Sequence, residues 1–191
     1  MTSPPRSLED SPLWDAFRRG DELAYEELYR RFTPGLYSYG VKFCRQEELV
    51  RDCIQDLFVS LWDKRFSLKP VQSVRFYLGT ALRNDLVRRL ARQATVIELT
   101  DDHDFELTLD VQALRMQEEM DQHQVERLNA ALGQLPPRQK EALYLRFYEN
   151  LDYDQIASLM RISPGVSYNF VYRALLSMKK ILLASSLLLT F

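Results

Sequence analysis

The chain has 191 residues, 46% of them apolar, which is enough to bury a core in one large domain or two small ones. A net charge of −2 excludes a protein that coats nucleic acid indiscriminately, and the composition is that of a soluble globular protein. Cys44 and Cys53 stand nine apart with no CxxC, far from His103 and His123, so neither a zinc site nor a disulfide framework is indicated; both are expected to be buried small hydrophobes.

The opening MTSPPRSLED has no apolar core of the kind a secretory signal needs. Helical periodicity then runs through roughly 11–31, 34–45, 47–64, 74–93, 112–133, 136–148, 152–160 and 164–184, while strand-like alternation is weak throughout. The expected fold class is all-α. Charge is segregated along it: five Arg face one Asp from Arg75 to Gln93, nine acidic residues face Arg115 alone from Glu98 to Asp121, and eight basic residues face four acidic ones from Arg127 to Lys180. Two basic modules thus flank an acidic connector that would discourage DNA binding by the free protein. Thr95 to Asp110 loses helical periodicity and gains charge. The expected organisation is a first domain over 11–93, an acidic linker over 94–118 and a second domain over 119–183.

In QEELVRDCIQDLFVSLWDK, from Gln46, the residues Val50, Cys53, Ile54, Leu57, Phe58 and Leu61 fall within an arc of about 140°, with Asp52, Gln55, Asp56 and Asp63 opposite. The plain reading is a core helix with a solvated acidic face. The sharper one is a docking face, since Asp52, Gln55 and Asp56 form a compact set of acceptors matched to Arg or Lys on a partner.

Pro70 keeps Phe66 to Val74 from being regular helix. In the following RFYLGTALRNDLVRRLARQ, Leu78, Leu82, Leu86 and Leu90 make an apolar stripe, and Tyr77, Asn84, Arg88 and Arg92 lie nearly opposite. That face combines a ring, a base-capable amide and guanidinium groups, with Arg83 and Arg89 flanking the stripe within reach of phosphates. A loop beside Phe76, Tyr77 and a basic helix is suited to holding an unstacked base.

Leu151 to Lys180 is punctuated as two short helices around a tight turn. Asp152 with Gln155 gives a capping-box start, Ser163 caps again, and Pro164 occupies a first helical position where a missing N–H costs nothing. This is how a helix-turn-helix reads, with its second helix directed into the major groove. On that helix Val166, Phe170, Ala174, Met178 and Ile181 form an apolar face, and Tyr168, Asn169, Tyr172 and Arg173 point away from it as the expected DNA contacts. Asn169 suits an adenine edge, Arg173 a guanine or a phosphate, and the tyrosines a phosphate or a thymine methyl, with an inter-helix contact as the alternative for either ring. Arg161 stands where many such turns carry Gly, so a differently shaped turn is expected. The apolar tail Ile181–Phe191 is too short to span a bilayer as a helix; it reads as an extension packed on the domain or a partner, or else as a membrane anchor. Cytoplasmic residence is expected.

Several of these runs together resemble the bacterial sigma-70 factors, in particular the compact extracytoplasmic function (ECF) group that has only sigma domains 2 and 4. RDCIQDLFVSLW, from Arg51, resembles the polymerase-binding helix of domain 2; SVRFYLGTALRNDLVRRL, from Ser73, resembles the helix that recognises and melts the −10 element. LPPRQKEALYLRFYENLDYDQIASLM, from Leu135, is similar to the start of domain 4, and SYNFVYRALLSMKK to the recognition helix of Bacteroidetes-type members. The resemblance covers roughly 11–92 and 120–182. It implies a transcription initiation factor, not an enzyme, with no cofactor and no metal. Asp52, Gln55 and Asp56 would dock on the β′ clamp of core RNA polymerase, and domain 4 on the β flap. Tyr77, Arg83, Asn84, Arg88 and Arg92, with the Phe66–Val74 loop, would engage the −10 element. Tyr168, Asn169, Tyr172 and Arg173 would read the −35 element of promoter DNA, and regulation would come from a separate anti-sigma factor. The competing readings are a stand-alone helix-turn-helix regulator, which leaves the acidic face and the basic helix without roles, and a helical interaction protein with no DNA contact. An enzyme would need a nucleophile and base, a phosphate loop or metal-ligand spacing that the sequence does not offer.

Overall fold

A computed structural model describes residues 7–93, 105–108 and 122–187. The chain divides into two compact units between Leu99 and Thr100. All regular structure among the described residues is helical.

The first unit contains α1 (Ser7–Arg18), α2 (Glu22–Phe43), α3 (Glu47–Lys64), a single 3₁₀ turn at Arg65–Ser67 and α4 (Val74–Gln93). The expected helices over 11–31 and 34–45 are divided differently. Gly20 adopts φ +94, a conformation that costs residues with a Cβ, and Asp21 then caps α2 by accepting from the Ala24 N–H at 3.0 Å, so the break falls at Gly20. Pro34, by contrast, lies inside α2: Leu28, Phe32, Leu36, Tyr39 and Phe43 keep one buried stripe on both sides of it, and packing outweighs the lost backbone hydrogen bond. α3 and α4 have the expected extents. α2 packs on α1, α3 and α4, enclosing Trp14, Phe17, Phe32, Val50, Ile54, Phe58, Leu78, Leu82 and Leu86. At the α2–α3 crossing Gly40 admits Val50, whose Cγ1 would lie 2.4 Å from a Cβ at that position.

The second unit contains α5 (Gln122–Gly133), α6 (Pro137–Phe147), α7 (Tyr153–Met160) and α8 (Pro164–Leu187). Residues 112–121 of the expected 112–133 helix lie outside the described residues. Helix α8 runs along α5, α6 and α7 over a core of Val125, Leu132, Leu145, Ile156, Met160, Val171 and Ala174. Phe105 and Leu107 are buried in this unit, Phe105 with its ring 5.7 Å from that of Tyr144, while Glu106 and Thr108 between and beyond them are exposed. That alternation is the period of an extended segment laid on an apolar surface.

Candidate docking and nucleic-acid interfaces

The capping box at the start of α7 is complete: the Gln155 N–H donates to Asp152 at 2.8 Å and the Asp152 N–H donates to the Gln155 side chain at 3.0 Å. At the other end of α7, Arg161 takes the left-handed conformation, φ 55 and ψ 49, so the turn expected to change shape keeps the shape that usually calls for Gly. Its N–H donates to Ala157 and Ser158 carbonyls, and the Ile162 N–H closes back on the Ala157 carbonyl at 2.9 Å. These backbone bonds satisfy carbonyls that the helix end would otherwise orphan, which offsets the strain of a side chain at positive φ.

Helix α8 is rotated slightly from its expected register. Ser167, Val171 and Ala174 are buried, whereas Val166 is exposed and Phe170, Met178 and Ile181 are half-buried. A serine fits the inner face because the Tyr153 and Pro164 carbonyls, each 2.8 Å away, accept from its hydroxyl, which satisfies that buried group. Tyr168, Asn169, Tyr172 and Arg173 are all exposed. Tyr168 also makes an inter-helix contact, its ring 5.3 Å from that of Tyr153 on α7. Arg138 and Arg146 on α6 donate to the carbonyls of Met160 and Leu151.

In the first unit, Asp52, Gln55, Asp56 and Asp63 are exposed along α3, opposite the buried Val50, Cys53, Ile54, Phe58 and Leu61. Asp56 has an internal partner: it pairs with Arg89 of α4, which also bonds Asp85 at 2.9 Å, and Asp85 in turn accepts from Arg88. Burial works against ionisation of Asp85, yet hydrogen bonds from Arg88 and Cys53 and the charges of Arg89 and Arg88 outweigh it and hold the carboxyl below its usual range. The Cys53 thiol beneath is pushed up to about 12, first by burial and then by its bond to Asp85. Both cysteines are buried and free.

On α4, Arg88 and Arg92 are exposed and Asn84 half-buried. Tyr77 is half-buried, edge-on to Trp14 at 5.3 Å. Arg83 is a correction. It is 1% exposed, its guanidinium 5.2 Å from the centre of the Phe43 ring, so it cannot meet a phosphate and serves the packing of α4 on α2. It is buried along with the stripe positions Leu82 and Leu86, and periodicity alone cannot tell a flanking Arg that turns in from one that turns out.

The loop between α3 and α4 is pinned to α1. Trp14 donates its indole N–H to the Lys69 carbonyl at 3.0 Å, and Arg18 donates to the Leu68 carbonyl at 2.7 Å. Arg65 lies between the rings of Trp62 and Phe66, at 4.0 and 4.4 Å, and leaves Phe66 70% exposed. Sequence reasoning missed Trp14, Arg18 and Arg65 because their partners lie in loop backbone or only a few residues along, where no amphipathic period marks them. A cation beside aromatic residues, as in Trp62 to Phe66, was the one signal present.

Two helical units, the second ending in a helix-turn-helix and the first presenting an acidic face beside a basic helix, place the chain among multi-domain helix-turn-helix proteins. Family comparison narrows this: the profile described as Sigma-70 region 2 matches residues 28–96, and that described as Sigma-70, region 4 matches 126–178. The chain is 26% identical over 168 residues to the RNA polymerase sigma factor CarQ of Myxococcus xanthus, covering 88% of this chain and 94% of that protein. It is likewise 26% identical over 157 residues to the ECF RNA polymerase sigma factor RpoE of Cereibacter sphaeroides, covering 78% and 83%. Among solved structures it shares its fold with CnrH bound to the cytosolic domain of CnrY, with a TM-score of 0.58 and 21% identity over 92% of this chain and 97% of that one. The chain belongs to the sigma-70 family, as an ECF sigma factor acting in transcription initiation. No helix among the described residues is long and apolar enough to cross a membrane.

Proposed function

We propose that this chain docks on core RNA polymerase and directs it to a specific promoter class, with domains over 11–93 and 119–183 joined by the acidic 94–118 linker. Asp52, Gln55 and Asp56 meet the β′ clamp and the second domain sits on the β flap. Tyr77, Asn84, Arg88 and Arg92, with the loop pinned to α1, engage the −10 element and hold a base out of the stack, which opens the duplex. Tyr168, Asn169, Tyr172 and Arg173 read the −35 element in the major groove. The observation that carries this reading is the exposed acidic set on α3, joined through the Asp56–Arg89 pair to α4, which exposes Arg88 and Arg92 within the same unit. Exposure of all four candidate residues on α8 supports the −35 assignment.

A separate anti-sigma factor is the proposed regulator. CnrH was solved with CnrY, and a RpoE with the anti-sigma factor NepR of Bartonella quintana, at 18% identity and a TM-score of 0.52 to this chain. The recognition-helix resemblance supports a Bacteroidetes-type member.

Run-off transcription with core polymerase on promoters of its own genome, with and without the protein, tests the proposal. Initiation at new sites is expected only when the protein is present; unchanged initiation by a folded preparation overturns it.

A further inference from the structure

An aromatic series crosses the second unit from α6 to α8. Arg146 is held by the Leu151 carbonyl at 2.9 Å and lies 5.2 Å from the centre of the Tyr153 ring. Tyr153 meets Tyr168 edge to face at 5.3 Å, with planes at 70°. Tyr168 is stacked with Tyr172 one turn further along, centroids 6.1 Å apart and planes within 9°. The start of the series is fixed as well: the Tyr153 carbonyl accepts from the fully buried Ser167 hydroxyl at 2.8 Å. Two rings on the recognition helix are therefore held in place before any DNA arrives, while staying 48% and 52% exposed.

Such rings offer apolar surface, and in the major groove the apolar group on a base pair is the thymine C5-methyl. Base pairs rise about 3.4 Å each, so rings 6.1 Å apart reach base pairs about two steps apart. Phosphates are the alternative for a tyrosine hydroxyl, but edge-to-face and stacked contacts fix ring surfaces and leave hydroxyls free to rotate. Fixing the rings also removes the rotamer entropy that binding would otherwise cost.

We propose that Tyr168 and Tyr172 read thymine methyl groups two base steps apart, and that Tyr153 is a positioning residue that sets the Tyr168 ring for this contact. The inference rests on the −35 reading and supplies its chemistry: Asn169 and Arg173 provide hydrogen bonds, and the tyrosines recognise methyl groups.

The test uses holoenzyme rebuilt from core polymerase and the full chain. Duplexes are selected from a library randomised upstream of a fixed −10 region, then resynthesised with deoxyuridine for thymidine in the recovered upstream element, which removes only the methyl groups. Wild-type holoenzyme is expected to bind the deoxyuridine duplex about fourfold more weakly per methyl contacted, the effect of losing one buried methylene-sized group. Tyr168→Ala with Tyr172→Ala should bind both duplexes equally, and Tyr168→Phe should keep the preference. Tyr153→Ala should lose most of it and Tyr153→Phe restore it, a ratio that a merely structural role would leave unchanged. Asn169→Ala should weaken both duplexes alike. Equal binding of the two duplexes by wild type, with an upstream element still selected, overturns the methyl reading and leaves −35 recognition standing. Selection that yields no upstream preference overturns both. Full discrimination by Tyr153→Ala removes Tyr153 from the proposal.

Discussion

Asp56 on α3 and Arg89 on α4 form an ion pair that ties the proposed docking face to the helix proposed to open the promoter. A basic group of polymerase drawn to Asp56 must displace Arg89, and displaced Arg89 becomes available to a phosphate. Exposed pairs of this kind contribute about 0.2–1 kcal/mol, so Arg89→Ala is expected to tighten binding to core polymerase by up to about fivefold, because Asp56 is released in advance. Asp56→Lys together with Asp52→Lys should weaken it strongly. Titration of labelled protein with core polymerase separates the outcomes: unchanged affinity for the double Lys variant removes the docking face, and weaker binding by Arg89→Ala shows that the pair itself is recognised.

The arginines of α4 divide by burial, and their variants should divide in the same way. Arg83→Ala empties a fully buried site against Phe43 and is expected to cost at least about 1.5 kcal/mol, lowering Tm by about 6–12 °C for a unit of this size. Arg88→Ala and Arg92→Ala, both exposed, should shift Tm by less than about 4 °C while impairing promoter opening. Thermal melts alongside permanganate footprinting of the −10 region distinguish them. A normal Tm for Arg83→Ala would return that residue to the DNA-facing set.

Most of the fold is legible in the sequence because amphipathic faces fix it. The faces of α3 and the capping box of α7 are readable from residue spacing, since each is a local pattern with one physical solution. Features decided by contacts distant in sequence are not. Pro34 reads as a boundary until the packing of Phe32 and Leu36 carries α2 through it; Ser167 reads as polar surface until the Tyr153 carbonyl accepts its hydroxyl. The candidate site shows the same division: the exposure of Asp52 and Tyr172 was readable by face, whereas Trp14 and Arg18 bond loop carbonyls that no period marks.

The α2–α3 crossing depends on one missing Cβ. A methyl at Gly40 would overlap Val50 Cγ1, so Gly40→Ala is expected to cost about 1–3 kcal/mol by overpacking. Val50→Ala leaves a cavity and is also destabilising. The two changes are complementary, so the double variant should lose less than the sum of the single losses. Denaturant unfolding of the four proteins in a double-mutant cycle measures this. Additive losses would show that the helices separate rather than press on Val50.

The turn after α7 carries its strain at Arg161, where Cβ opposes the left-handed backbone. Arg161→Gly relieves that clash but adds chain entropy to the unfolded state, for a net gain of up to about 0.5 kcal/mol. Arg161→Val, β-branched at the same φ, should lose about 1–2 kcal/mol. Urea midpoints should rank Gly at or above Arg, and Arg above Val. A Val variant as stable as the parent would mean that the turn relaxes out of the left-handed region.

Cys53 and Asp85 give the first unit opposite sensitivities at the two ends of the pH scale. The Cys53 thiol is raised in the folded state, so its contribution is complete below the ordinary thiol range; stability falls as pH rises from about 9, where the unfolded chain ionises, towards about 12. Asp85 is held below its usual range, so its contribution is present at neutral pH and is lost as pH falls through and below about 4. Asp85→Asn should therefore flatten the acid limb of a stability–pH profile, and Cys53→Ala the alkaline limb. The same burial should leave native Cys53 unmodified by iodoacetamide at pH 8, with labelling only as fast as the unit opens. Rapid labelling of Cys53 without unfolding would mean that solvent reaches the α3–α4 contact directly, and the alkaline limb would then no longer be assignable to this thiol.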